Sequence, residues 1–318
     1  MKILSLRKYQ QVFFNQIMYE WEDDISNHYR IKIKKPNPIS YYTSVLLDKC
    51  DMFHIFTRCI RQQNKNNYAF LMFPFAYRYF CPYSIIPIFL DTFEKYYDQI
   101  QTAIKDIDIA IFTNYEMYIS QKAVFPEKNI FYLPLGMAQK WVSNNMPDKK
   151  IDVVQTGRYN PLLHEWMLRY CERNPSIEYV YRDSLESQEY YSTQKGKIGY
   201  FSTREEYMAL LRSAKVSLVS TPGVDDKSRT GNYDFFTPRF YESACSFCQM
   251  IGRYPNNQEA KYLGIEDVCE NVENYEEFES KLKKALDTEL DKEKYINFTK
   301  KNMFLNRLEE CGILEVLR

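Results

Sequence analysis

The sequence predicts an α/β fold of two domains, and three observations lead there. Short apolar runs of strand length alternate with amphipathic stretches along most of the chain. The length of 318 residues exceeds what one core usually serves. A polar stretch near the middle, residues 144–150, separates two halves with the same rhythm. With 45% hydrophobic and 26% charged residues, composition excludes a disordered or fibrous chain.

Taken in order, residues 30–35 alternate basic and apolar side chains. Arg30, Lys32 and Lys34 then fall on one strand face and Ile31 and Ile33 on the other, as in an edge strand whose charges discourage pairing. Strand-length runs follow at 52–56, 69–73, 85–90, 107–112 and 130–133. The longest apolar stretch, 68–90, is interrupted by Pro74, Arg78, Pro82 and Pro87, so it reads as two buried strands and not a membrane span. The polar stretch places a boundary that gives domains 1–147 and 148–318. In the second half, strands at 151–154, 177–181, 216–219 and 250–251 alternate with helices at 162–173, 204–214, 239–246 and 275–286. The charged stretch 292–317 has a helical pattern and is expected to pack back across one domain or both.

Charge narrows the partners. Lys plus Arg and Asp plus Glu both number 42, which makes nucleic acid an unlikely main partner. Residues 1–150 carry 19 basic against 14 acidic side chains and the remainder 23 against 28. That asymmetry fits attraction between domains, or a basic first domain that meets an anionic acceptor or a peripheral membrane face. Eight cysteines are too sparse and irregular for a disulfide scaffold, and the start lacks an apolar signal core, so a cytoplasmic location is expected.

In paired α/β domains the strand ends are where ligands bind. Thr156, Gly157 and Arg158 follow the strand at 151–154, and a glycine, a helix start and a guanidinium together suit a phosphate; an ordinary turn is the alternative. The loop 221–237 is long and carries Lys227, Arg229, Gly231 and Asp234. Pro238 opens a helix that holds Arg239 and Glu242 among apolar neighbours, either as a surface ion pair or as a buried carboxylate that needs a partner. Asp91 ends a strand, as an acceptor base, a sugar contact or a helix cap for 92–97. Asp106 and Asp108 have metal-motif spacing but read as a solvated strand entrance. Cys245 and Cys248 read as buried thiols, and His28, His54 and His164 are isolated. The ready-made signatures of serine hydrolases, zinc proteases and P-loop nucleotidases are absent.

The runs IDVVQTGRYN, REEYMALLRSAKVSLVSTPG and TPRFYESACSFCQMIGRYPNN resemble the nucleotide-binding half of GT-B glycosyltransferases, which have two facing Rossmann-like domains. IPIFLDTFEKY and DIAIFTNYEMYISQKAVFPEKNIFYLPLGM are similar to the acceptor-side half. The nearest likeness is to bacterial polysaccharide and spore-maturation-type enzymes; it covers residues 68–275, while residues 1–50 match nothing. The resemblance implies a transfer from a nucleotide-diphosphate sugar, a substrate and not a cofactor, to a glycan or lipid-linked hydroxyl. It implies that Glu242 accepts hydrogen bonds from ribose hydroxyls, and that Gly157, Arg158, Arg229 and Arg239 hold the diphosphate. Asp234 stands where many relatives have a Glu that contacts the sugar, a departure from the pattern, and the usual Gly-rich loop after the first strand has no counterpart in residues 1–16. Arginines and helix N-termini can stabilise a diphosphate leaving group, so no metal is expected.

Overall fold

A computed structural model describes residues 1–50, 67–72, 83–105, 107–182, 189–228 and 230–317. The expected strand at 52–56, Asp106 and Arg229 lie outside the described residues. The chain divides into two compact units. One comprises Met1–Pro134, Lys227–Phe235 and Phe304–Arg318, the other Leu135–Asp226 and Phe236–Met303.

In the first unit, β1 (Lys2–Leu4), β2 (Ile33–Lys34), β3 (Tyr68–Met72), β4 (Ser84–Phe89), β5 (Ile109–Phe112) and β6 (Asn129–Tyr132) form one sheet, in the order β2-β1-β3-β4-β5-β6. Every pairing in it is parallel. The basic segment does supply the edge strand, shortened to two residues, with Ile31 buried and Lys32 and Lys34 exposed. Sequence reasoning overlooked β1, which lies inside the sheet; three residues are too few to display a period. Phe89 and Phe112 stack at 4.9 Å on neighbouring strands, against Ile100, Ala103 and Ile104 of the helix Tyr97–Lys105.

The terminal stretch does pack back, but it divides. The helix Lys292–Lys301 belongs to the second unit, while the helix Phe304–Glu310 belongs to the first. There Phe304 stacks on Trp21 of the helix Gln16–Tyr29, centroids 4.8 Å apart, and both rings are almost fully buried. A buried aromatic of this kind contributes about 1.5–3 kcal/mol through removal from water.

The second unit carries β7 (Ile151–Gln155), β8 (Tyr179–Arg182), β9 (Tyr190–Ser192), β10 (Gly196–Gly199), β11 (Ala214–Ser220), β12 (Gln249–Arg253) and β13 (Cys269–Asn271). The order is β10-β9-β8-β7-β11-β12-β13, parallel except for the β8-β9-β10 meander. The chain leaves β7 toward one edge and returns to β11 on its other side, so the β7/β11 junction is a topological switch point. Val153, Val216, Leu218 and Ile251 on the strands pack with Leu163 and Met167 of the helix Pro161–Arg173 and with Phe278 and Leu282 of the helix Tyr275–Asp287.

The unit begins at Leu135, ahead of the polar stretch at 144–150. The reason is local: the Met137 N–H donates to Asn302 O, and Arg212 donates to the Trp141 carbonyl, so residues 135–141 already pack into the second unit.

Candidate functional site

Of the residues singled out in the second half, Gly157, Arg158, Arg239 and Glu242 lie at the end of β7. Gly157 adopts φ +67°, a left-handed conformation, and a Cβ there would come within 3.2 Å of Arg239 Nη1. Both constraints select glycine. Its N–H donates to the Tyr190 hydroxyl at 3.1 Å. Arg239, the second residue of the helix Pro238–Cys245, reaches back to the same turn and donates through Nη1 to Thr156 O at 3.3 Å and Arg158 O at 2.5 Å. The side chain of Arg158 is exposed.

Of the two alternatives for Glu242, the structure has the buried carboxylate, and its partner is not Arg239 but Arg204. Arg204 Nη1 donates to Glu242 Oε1 at 2.6 Å, and both side chains are buried. The Tyr207 hydroxyl donates to Oε2 at 2.8 Å and in turn accepts from Thr156 Oγ1 at 2.9 Å. Burial, then the negative charge of Glu242, hold the Tyr207 phenol far above its ordinary range, which keeps that proton in place. Arg204 opens the helix Arg204–Ser213, whose first turn is fixed by a reciprocal capping box between Thr203 and Glu206. The sequence signal for it was present in REEY, but a partner 38 residues away cannot be read from spacing.

Chemically, this cluster is basic. Arg204 pairs with Glu242, and Arg239 spans the glycine turn that carries the exposed Arg158, beside two helix N-termini at a switch point. Burial pulls the Arg239 guanidinium below its usual range, opposed by Tyr207 and Glu242. Such an arrangement favours an anion. The loop after β11 is tied to the same end of the sheet: Asp225 accepts a bidentate pair from Arg253, the last residue of β12, and a bond from Asn160 Nδ2. Asn160 also caps the helix Pro161–Arg173 through the Leu163 N–H.

Asp91 and Asp234 belong to the first unit. Asp91 is exposed, follows β4 and has φ +49°. The N-cap of the short helix Glu94–Tyr96 that follows is Phe93. Asp234 sits in the segment 227–235, which two glutamates hold by their carboxylates. Glu94 accepts from the Asn232 N–H at 2.7 Å, and Glu116 from the Asp234 N–H at 2.9 Å. Gly231, at φ +67°, lies so close to Glu94 that a Cβ would collide with that side chain. Phe235 packs on Phe93, and Tyr233 donates to Ser120.

Glu116 was overlooked in the sequence. It follows Asn114, which caps the helix Tyr115–Val124 at the end of β5, so a strand-end search of the kind that found Asp91 could have reached it. Burial, and then the charge of Asp234, push its carboxyl up to about 7, with Lys227 a smaller opposing influence. Burial raises Asp234 as well. Cys245 and Cys248 are buried thiols as expected. Among the described residues, no three His, Cys, Asp or Glu side chains converge as metal ligands, and no helix is long and apolar enough to cross a membrane.

No protein-family profile matches the chain, and no curated protein matches it. Solved structures do. A pneumococcal O-GlcNAc transferase, GtfA, in complex with UDP and GlcNAc is 10% identical, with a TM-score of 0.48 over 82% of this chain and 59% of that one. A mutant of S. aureus TarM in complex with fondaparinux, alpha-GlcNAc-glycerol and UDP is 12% identical, with a TM-score of 0.47 over 78% and 54%. A Listeria monocytogenes protein named for UDP-N-acetylglucosamine 2-epimerase is 13% identical, with a TM-score of 0.49 over 93% and 85%. Each of the two units of this chain is α/β, built on one mainly parallel sheet with helices against it. The chain spans less than three fifths of the length of GtfA and TarM, and the ligands named with them are properties of those proteins.

Proposed function

We propose that this protein is a glycosyltransferase that moves a sugar from a nucleotide-diphosphate donor to a hydroxyl of a glycan or lipid-linked acceptor, at the cytoplasmic side and without a metal. The observation that carries this reading is the Gly157–Arg239–Arg204–Glu242 cluster at the β7/β11 switch point. A diphosphate placed over Gly157 would meet Arg158 and Arg239. Glu242 uses one lone pair on each oxygen internally, which leaves acceptor capacity for the ribose hydroxyls. As the bond from the anomeric carbon to the diphosphate oxygen breaks, negative charge gathers on the leaving group, and these guanidiniums stabilise it. The acceptor oxygen forms the new bond and gives up its proton; Asp91 is the group assigned to take or orient it, and Asp234 the sugar contact.

The test follows from the ribose. Calorimetric titration in EDTA, with a panel of nucleoside diphosphates and with inorganic pyrophosphate, should give tighter binding of at least one nucleoside diphosphate. Glu242→Gln should weaken that binding roughly tenfold or more and leave pyrophosphate nearly unchanged, because hydrogen bonds to a charged group are worth about 1.5–3 kcal/mol. Equal loss for both ligands would reduce Glu242 to a brace for Arg204, and absence of any nucleotide binding would overturn the reading. Donor turnover without an acceptor would instead favour a nucleotide-sugar epimerase, and binding without turnover a silent sugar-nucleotide sensor.

A further inference from the structure

The helix Pro38–Lys49 presents an apolar face to solvent. Ile39 is 80% exposed, Tyr42 64% and Leu46 62%, and Val45 flanks them. At 100° per residue these four positions span an arc of about 120°, the width of a face normally buried. The helix is anchored from its other flank: Tyr41 packs on the core made by Leu4, Leu6, Ala69, Leu71 and Ile85. Tyr9 stacks on Tyr41 at 4.2 Å, meets Tyr42 edge-on at 6.3 Å, and donates to the Pro36 carbonyl at 2.9 Å. The loop that continues from Tyr9 exposes Val12 and Phe14 as well.

Four exposed lysines adjoin the start of this surface, while the last turn of the helix holds Asp48 and Lys49. Lys8, Lys32, Lys34 and Lys35 are all exposed. No Asp or Glu occurs before Glu20 or from Ile25 through Leu47. We propose that the helix Pro38–Lys49 and the adjoining loop at Tyr9 form a docking surface for an anionic phospholipid bilayer. Aliphatic and tyrosine side chains would enter the headgroup boundary while lysines meet lipid phosphates, the pattern of a helix lying in the interface. A second copy of the chain fits less well, since a two-fold contact through this face would set the same lysines against one another. The surface lies outside the strand-end cluster, and its role does not depend on which reaction that cluster performs.

Co-sedimentation of the full chain with vesicles decides it. The chain should pellet with phosphatidylcholine vesicles that contain phosphatidylglycerol, and much less with phosphatidylcholine alone or in high salt. Ile39→Glu/Leu46→Glu and Lys34→Glu/Lys35→Glu should each lower the partition coefficient by about tenfold or more. These four side chains are solvent-facing, and unchanged thermal melting of the variants would establish that the fold is kept. Failure to pellet with the mixed vesicles, or equal pelleting of the variants, would overturn the proposal. So would sedimentation equilibrium that finds, without vesicles, a dimer dissolved by Ile39→Glu/Leu46→Glu.

Discussion

Two glutamates, Glu242 in one unit and Glu116 in the other, occupy comparable places near strand ends yet have opposite company. Glu242 is met by a guanidinium and a phenol, both buried with it. Glu116 is met by a backbone N–H and by a second carboxyl, that of Asp234, with Lys227 as a weaker counterweight. The difference teaches what each neighbourhood can do. A carboxylate met by a guanidinium and a phenol serves as a fixed acceptor, whereas half-burial beside a second carboxyl raises Glu116 to about 7.

The comparison is broken most severely at Arg204. Arg204→Met strands Glu242 in the interior, so the variant should lose about 3–5 kcal/mol of stability, measured by reversible denaturant unfolding. A loss under about 1 kcal/mol, the size typical of an exposed pair, would mean that water reaches the carboxylate and that the pair is not a buried one. Gly157→Ala comes next. The left-handed φ costs about 1–2 kcal/mol, and Arg239 must yield a few tenths of an ångström to the new methyl. Its melting temperature should fall and its diphosphate affinity with it; an affinity that stays constant would separate the turn from the binding site.

A further test concerns pH and sharpens the contrast. Folded Glu116 titrates at about 7 against an ordinary value of 4.5, so the native state holds a proton that the unfolded chain releases earlier. The stability this confers is complete below about 4.5 and is lost as pH rises through about 7. Glu22 titrates in the same window, raised to about 7 chiefly by burial and partly offset by Ser5 and Arg7. Urea midpoints should therefore decline between pH 5 and 8, and Glu116→Gln should flatten part of that decline while keeping an oxygen for the Asp234 N–H. A Glu116→Gln profile parallel to the unaltered chain would show that its carboxyl is already ionised at pH 5.

Much of the architecture could be read from sequence because it is written locally. Val153 and Val216 sit in apolar runs of strand length, and the Asn160 and Thr203 caps stand directly before their helices. β1 could not be read so, since a central position in a sheet depends on neighbours far along the chain. The meander β9–β10 escaped for a related reason: Gly196 and Gly199 dilute its pattern, and its support comes from β8. At the site, Gly157, Arg239 and Glu242 were recognisable by residue type and place. Their partners were not, because the Arg204–Glu242 and Glu116–Asp234 contacts join segments 38 and 118 residues apart. The loop 221–237 was visible as a long loop; its division at Lys227 was invisible, because it follows from Glu94 and Glu116 at one end and from Arg253 at the other.

The stacking of Phe304 on Trp21 has a consequence for biosynthesis. A ribosome delivers the chain from its amino end, yet the first unit includes residues made after the whole of the second. Trp21 must wait, uncovered, through the synthesis of some 280 further residues before its ring partner emerges. Of the two units, the one begun first is therefore completed last, and until Phe304 emerges the nascent chain carries an unfinished hydrophobic surface, the kind on which holding chaperones act.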